Sequence, residues 1–464
     1  MKIFSASTKE LKFGDRLVPS FYYYKKVVKQ QNAQSGIEYI VLGEHSTISD
    51  GEHSHISRNR NEGIRYLYGR NIKEGVIDFD EISDDSYISQ MDYKSFPRCH
   101  IKQNDVLIAI YGTVGKSAVY RSEYVGKAGI PRHISNISLK ENAPITPEYL
   151  TAYFRSKAGK WQIFSLMTGN IQQLLSLKNL REFEVPIIQQ DIMDLITKNE
   201  KSAIEYEIQA QENIKIAQKL LYKGLNFDIK SIKRDFSFGV MFSKLKESSI
   251  WSTNYYDRLY IKTAASLEKF NAAIPLKEVV DIDNGDEVGS NNYNDFIQRS
   301  FGDKPFIRTS DIVNWEVDLY PDYYISESDL VDIKQNVKVN DIIFTKDGKI
   351  GGVGLITAAD DVVLSSGIEI LRVKELAKKE GITPEYLFTA LSIPEIGRYA
   401  AIRRTVVAST IPHLREERLK DIEIPLIDEE LMKKITELIK EAFILKAQRK
   451  KKLKKNEQVF EECF

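Results

Sequence analysis

At 464 residues the chain is long enough for two to four domains, each with a core of its own. Lys and Arg total 66, and so do Asp and Glu, so no net field draws the protein to nucleic acid; any such binding must come from local basic patches or a basic partner. The 2 cysteines, Cys99 and Cys463, exclude a disulfide framework, and no apolar run reaches the ~18 residues of a membrane helix or opens the chain as a leader, so a cytoplasmic protein is expected.

Near the start, Asp15-Arg16-Leu17 leads into Phe21-Tyr22-Tyr23-Tyr24 and Lys25-Lys26, which reads as a half-buried strand with a wet edge. Gly51-Glu52-His53-Ser54-His55 puts two histidines on one side of an extended chain, with His45 nearby. A metal site would need another ligand and carboxylates to orient the rings, so a polar loop is expected and no metal. Gly63 to Tyr68 reads as a strand, and Asn71-Ile72 through Asp78-Phe79 as a turn and a further strand. Asn104 to Lys116 is the most informative local pattern. A turn feeds a buried apolar strand, and then Gly112 and Gly115 let the backbone approach something closely. The glycine spacing does not fit a phosphate-binding loop, and Val119-Tyr120 continue as a strand where such a loop would open a helix. Ile145 to Leu150 opens a helix, with Thr146 as its cap and Pro147 in its first position. A polar loop follows at Thr168 to Gln173.

Val185-Pro186-Ile187-Ile188 then leads into a stretch without proline or glycine until Gly224. Ala203, Tyr206, Ala210, Asn213, Ala217 and Leu220 recur at alternating steps of three and four, the seam of a coiled coil in which Asn213 would fix register. One helix from Asp191 to Tyr222 would be roughly 45–50 Å long, which suits a spacer between bodies.

After a linker the landmarks return in the same order, each about 240 residues later. Asp257-Arg258-Leu259 matches Asp15-Arg16-Leu17. Asp311-Ile312 and Val317-Asp318-Leu319 match Asn71-Ile72 and Ile77-Asp78-Phe79. Tyr324-Ile325-Ser326 matches Tyr87-Ile88-Ser89. Asn340 to Gly351 repeats the glycine hairpin, and Thr383-Pro384-Glu385-Tyr386-Leu387 repeats the capped helix. Ile424-Pro425-Leu426-Ile427 reopens the long helix, whose seam is Leu431, Ile435, Leu438, Ala442 and Leu445. The segments between landmarks share almost nothing, which is what two readers of different targets would look like. Asp281-x-Asp283-x-Gly285 has its glycine misplaced for a calcium loop. Asp322, Asp332 and Lys334 have the residue types of a nuclease core, but their counterparts in the first half have lost the set.

Taken together, the paired glycine hairpins, the Thr-Pro-Glu-Tyr-Leu helix starts, the loops Gly169–Gln173 and Ala408–His413 and the two proline-led helices resemble the specificity (S) subunit of type I restriction–modification systems. The likeness covers essentially the whole chain. It implies an α+β fold with an internal duplication, in which two similar target-recognition domains are separated by two long antiparallel, coiled-coil helices. The boundaries expected are 1–186 and 247–425 for the two domains, 187–225 and 426–464 for the helices, and 226–246 for the linker. The function implied is a non-catalytic DNA reader of a bipartite target. It would dock adenine-methyltransferase subunits, two of them, and restriction subunits, with S-adenosylmethionine, ATP and Mg²⁺ on those partners. The residues agree with the absence of catalysis. No two prolines are adjacent, as an adenine-methyltransferase motif requires, and there is no phosphate-binding loop for translocation. The residue types that contact phosphates and base edges give Lys116, Arg132, His133, Gln172, Gln173, Lys349, Arg403 and Arg404 as DNA-binding candidates. The basic run from Lys446 and Arg449 to Lys455 is either a DNA contact or a solvated helix face. Other readings are a specificity module of another DNA-modification or phage-defence methylase, a stand-alone nuclease and an assembly scaffold.

Overall fold

The computed structural model describes residues 36–58, 63–79, 86–168, 173–226, 237–247, 250–268, 272–288, 303–326, 333–407 and 411–464, with positions 22 and 232 in isolation. The chain forms two compact units, Met1–Ile208 with Gln448–Phe464, and Gln209–Ala447. Among the described residues no helix is long and apolar enough to cross a membrane.

In the first unit an antiparallel four-stranded sheet runs in the order Ser46–Asp50, Ile134–Leu139, Val106–Ala109, Ser117–Val119. A three-stranded sheet holds Tyr87–Ile88, Ile64–Tyr66 and Ala128–Gly129, antiparallel and then parallel. Ile72–Lys73 and Val76–Ile77 form a small hairpin, and Glu38–Val41 pairs with Glu184–Ile187. The second unit repeats each of these. Its four strands are Val280–Asn284, Ile368–Val373, Ile342–Thr345 and Val353–Leu355, and its three are Tyr323–Ile325, Lys304–Ile307 and Val363–Leu364. The small hairpin is Ile312–Val313 with Glu316–Val317, and Ala273–Pro275 pairs with Glu423–Pro425. The duplication expected from the sequence is therefore a duplication of topology.

The local causes repeat as well. Asn104 and Asn340 start the central strands in the left-handed region at φ 72° and 70°, a conformation that asparagine tolerates better than most side chains. The strands they feed, Val106–Ala109 and Ile342–Thr345, are buried at every position, which explains why their apolar runs do not alternate. Thr146 and Thr383 each accept a backbone N–H three residues on, from Tyr149 and Tyr386, at 3.1 Å, and a proline occupies the first helical position. These capped helices also hold the entry to the long helices. The Thr146 and Thr197 hydroxyls lie 3.0 Å apart, and those of Thr383 and Thr436 2.9 Å apart.

The long helices are Gln190–Leu225 and Glu429–Cys463, of 36 and 35 residues, hence about 54 and 52 Å at ~1.5 Å per residue. In the first unit their segments run antiparallel. Asn456 donates to the Ile196 carbonyl and to Glu200 Oε1 at 3.1 and 2.9 Å, and Asn199 donates to Asn456 Oδ1 at 2.9 Å. Arg155 binds the same Glu200 carboxylate. Phe460 covers Tyr149 and Tyr153, with ring centroids 5.6 and 5.8 Å apart. In the second unit Ala210, Ile214, Ala217 and Leu221 share one core with Met432, Ile435, Ile439, Ala442 and Phe443.

Several expectations are corrected here. Ala203, Ala210 and Ala217 are buried as expected, but Glu207, Ile214 and Leu221 are buried in place of Tyr206, Asn213 and Leu220. In the second helix Met432 and Ile439 replace Leu431 and Leu438. The buried positions still repeat every seven residues, at steps of four and three, so the period holds and only one of the two seam positions of each heptad lies one residue further on. The buried asparagines are Asn199 and Asn456, not Asn213. The basic run is divided: Lys446, Arg449 and Lys450 are buried, whereas Lys451, Lys454 and Lys455 are exposed. Lys446 Nζ lies 3.0 Å from Glu316 Oε1, and Arg449 Nε 3.7 Å from Glu207 Oε2. Carboxylates distant in sequence meet these cations, which local charge counting does not reveal. Tyr22 is helical, not extended, and the rest of Phe21–Tyr24 lies outside the described residues, as does Asp15-Arg16-Leu17. A helix at Phe242–Glu247 begins within the stretch expected as a linker.

Candidate functional site

In each unit three chain segments converge at the ends of the four-stranded sheet, and the same set of backbone hydrogen bonds holds them. In the first unit Gly51 N donates to Ile134 O (3.2 Å), Glu52 N to Ile130 O (3.0 Å) and Arg132 N to Glu52 O (2.9 Å). Ile110 N donates to His133 O (3.0 Å), and Leu175 N to Ile110 O (3.1 Å). In the second, Gly285 N donates to Ile368 O (3.0 Å), Asp286 N to Leu364 O (3.0 Å) and Ser366 N to Asp286 O (3.0 Å). Lys346 N donates to Gly367 O and Leu414 N to Lys346 O, both at 2.9 Å. A Cβ on Gly51 would stand 2.1 Å from the Ile130 carbonyl oxygen, and one on Gly285 2.2 Å from that of Ser365, so both crossings require glycine. The frame is the same in both units.

The side chains on that frame differ. In the first unit Asp50 Oδ2 meets His53 Nε2 at 2.8 Å, and Asp50 Oδ1 meets Arg98. Burial alone would raise the Asp50 carboxyl, but the hydrogen bonds from Arg98 and His53 outweigh it and hold it below the usual carboxylate range. Tyr111, before the hairpin glycine, meets the His133 ring edge-on with centroids 5.5 Å apart. Burial, then the charge of Arg132, holds the His133 imidazole toward its neutral form. Beside them the Tyr68 ring carries Arg58 at 4.6 Å and Arg70 at 4.4 Å, two cation–π contacts. Thr113 Oγ1, on the hairpin, donates to the Gly69 carbonyl at 3.1 Å and ties this group to the site.

In the second unit Asn284 stands in the place of Asp50, Lys346 of Ile110, Asp347 of Tyr111 and Ser366 of Arg132. Lys346 Nζ donates to Asn284 Oδ1 and, at 2.9 Å, to Glu369 Oε1. Burial raises the Glu369 carboxyl even with that ammonium beside it. Asp347 Oδ1 binds His413 Nδ1. Asp286, where the first unit has Glu52, accepts from Gln335 Nε2 at 2.7 Å. Arg308 lies 4.1 Å over the Tyr323 ring and also meets Asp311 and Asp322. The first face sets Arg58, Arg70 and Arg98 and the Tyr68 and Tyr111 rings beside its carboxylate and imidazoles; the second sets a lysine, amides, a hydroxyl and an imidazole among carboxylates, with the Arg308–Tyr323 stack.

Of the sequence candidates, Arg132 and His133 lie within the first face and are exposed, and Gln173 is exposed at its border. Leu174, next to it, bridges to Tyr111 and exchanges two 2.8 Å backbone hydrogen bonds with Thr168. Gln172 lies outside the described residues. Lys116 is buried within the first unit. Lys349, half-buried, donates to the Ile312 carbonyl at 3.0 Å. Arg403 lies 4.9 Å over the Tyr255 ring and donates to the Tyr255 carbonyl at 3.3 Å. Arg404 donates to the carbonyls of Ala400 and Asp421 at 3.1 and 3.4 Å. Burial, then Arg403, pulls the Arg404 pKa down. The structure thus brings together Arg132, His133 and Gln173 but not the other four described candidates.

Asp50, Tyr111, Asn284, Lys346, Asp347 and His413 escaped the sequence reading. One signal was present: Ile110-Tyr111 and Lys346-Asp347 occupy equal positions before a repeated glycine yet differ completely in chemistry. Among the described residues no group of three or more His, Cys, Asp or Glu is placed to hold a metal ion.

Residues 271–455 match the family described as the type I restriction modification DNA specificity domain. No curated protein matches the sequence. Among solved structures, the chain is similar to the S subunit of a type I restriction-modification system from M. genitalium, at 12% identity over 92% of this chain and 94% of that one, with a TM-score of 0.33. It is similar also to the HsdS subunit from Thermoanaerobacter tengcongensis, at 15% identity over 92% and 96%, TM-score 0.28. A third likeness is to a structure describing complex assembly and conformational transition of the type I R-M system, at 13% identity over 92% and 97%, TM-score 0.28.

Proposed function

We propose that this chain is a specificity subunit of a type I restriction–modification system, a reading supported by the match of residues 271–455 to the DNA specificity domain, and that it reads a bipartite DNA target, one half-site per unit. The observation that carries this reading is the repeated backbone frame bearing different side chains at equal positions. A frame held by main-chain bonds sets the same approach to DNA twice, while Asp50, Tyr111 and Arg132 against Asn284, Asp347 and Ser366 give the two faces different chemistry.

The protein itself carries no chemistry in this reading. It docks adenine-methyltransferase subunits, two of them, and restriction subunits, and S-adenosylmethionine, ATP and Mg²⁺ belong to those partners, as does the pocket that takes the flipped base. The complex works in the cytoplasm. With 66 cationic and 66 acidic side chains, affinity rests on local arginines such as Arg58, Arg70, Arg98 and Arg132. It therefore falls with salt by a slope set by the phosphates neutralised.

The test is to sequence the methylated sites made by the complex with its methyltransferase partner. Exchanging residues 251–382 for the matching part of a relative should alter one half of the methylated motif and preserve the other. Change in both halves, or in neither, refutes one reader per unit.

A further inference from the structure

In both units an imidazole stands against the residue that precedes the hairpin glycine, but it arrives from different segments. In the first unit His133 meets Tyr111; in the second the position equivalent to His133 is Gly367, and the imidazole comes from His413. The second arrangement is held on several sides. Asp347 and His413 are bridged through the backbone, Gly348 N donates to Pro412 O at 3.2 Å, and Leu414 N donates to Lys346 O at 2.9 Å. Gly367 keeps the space open, since a Cβ there would lie 3.0 Å from Thr309 Cγ2 and 3.4 Å from Asp347 Cβ. The ammonium of Lys346, the chain neighbour of Asp347, is engaged by Glu369 and Asn284. The Asp347 carboxylate therefore serves the imidazole.

Chemistry then fixes the tautomer. A carboxylate only accepts hydrogen bonds, so the proton between the two groups belongs to His413 Nδ1. In the neutral ring Nε2 is left with a lone pair. The His413 side chain is 45% exposed and that of Asp347 33%, so the ring is reachable while its orienting partner is half covered.

We infer that His413, oriented by Asp347, is a base-contacting specificity residue of the second unit, presenting Nε2 as an acceptor to the exocyclic amino group of adenine or cytosine in the major groove. Asp347 is a positioning residue: it touches no base and acts by fixing the ring. The assignment rests on the DNA-reading function proposed above. It adds a named side chain, a tautomer and a class of base edge.

The experiment compares methylated-site sequences made by the complex carrying the natural chain, His413→Ala or Asp347→Asn. With His413→Ala, one position in one half-element should lose about tenfold in discrimination while the other half-element stays unchanged. Asp347→Asn is isosteric, and its amide can donate to Nδ1, which leaves the proton on Nε2. The preference at that same position should then move toward guanine or thymine, whose edges accept there. A merely structural role would not exchange one base for another. An unchanged motif in both variants overturns the inference, and so does a uniform fall in affinity across sequences, which would mark a phosphate contact. Those two results leave the bipartite reading standing, whereas a natural complex whose motif is not bipartite removes both.

Discussion

The Tyr149 hydroxyl donates to the carbonyl of Pro186 at 2.9 Å, with both groups buried, and Tyr386 does the same to Pro425 at 2.6 Å. Each bond fastens the Thr-Pro-Glu-Tyr-Leu helix to the short strand that leads into a long helix. Burial pushes both phenols above their ordinary pKa, so they remain donors. Tyr149→Phe or Tyr386→Phe leaves a buried carbonyl without its partner and should cost about 1–3 kcal/mol. Urea unfolding checks this, and a midpoint unmoved in either variant counts against it.

The pair formed by Lys446 and Glu316 offers a sharper energetic test, because both side chains are fully or nearly buried. Lys446→Met strands a buried carboxylate and should destabilise by about 3–5 kcal/mol. Adding Glu316→Leu should recover most of that, since an apolar pair of similar volume is often neutral. If the double variant is as unstable as the single one, packing and not charge is what Lys446 supplies.

Asp50 ties the first face to acid stability. Its carboxyl is depressed in the folded state, so its contribution is fully present above the unfolded value of ~3.9 and is lost as pH falls through the lower folded value. Asp50→Asn should therefore unfold at lower temperature than the natural chain at neutral pH, with the two curves converging in strong acid. Equal differences in Tm at neutral and strongly acid pH would exclude the carboxylate as the cause.

Most of this frame was legible in the sequence because it rests on local rules. Thr146 and Thr383 cap helices, Asn104 and Asn340 start strands in the left-handed region, and the proline-led helices repeat. The site was harder to read because it is built across distance. Asp50 meets Arg98, and Asp347 meets His413, through sheet pairings that no local pattern encodes. Lys116, Lys349 and Arg404 look like phosphate contacts by type, yet Lys116 is buried and the other two donate to backbone carbonyls. Lys446 and Arg449 of the last helix misled for the same reason, since their carboxylates come from remote segments.

Both long helices have residues in both units, and under the proposed bipartite reading their length is testable as the gap between half-sites. Inserting seven residues after Ile208 and seven after Ala447 adds about 10.5 Å to each helix and stops ~20° short of two full turns. At ~3.4 Å per base pair the unread gap should grow by about three pairs, with both half-elements unchanged. Sequencing the methylated sites of the lengthened complex decides it, and the original gap kept at full activity would refute a ruler.

The second unit is one contiguous run, Gln209–Ala447, whereas the first is completed by Gln448–Phe464. At ribosomal speeds, on the order of tens of seconds separate the synthesis of Ile208 from that of Gln448. Throughout that interval Tyr149 and Tyr153 lack the Phe460 ring that covers them, and Asn199 and Glu200 lack Asn456. The half of the protein that leaves the ribosome first is thus the half that closes last, and until then its aromatic floor is open to chaperones and to neighbouring nascent chains.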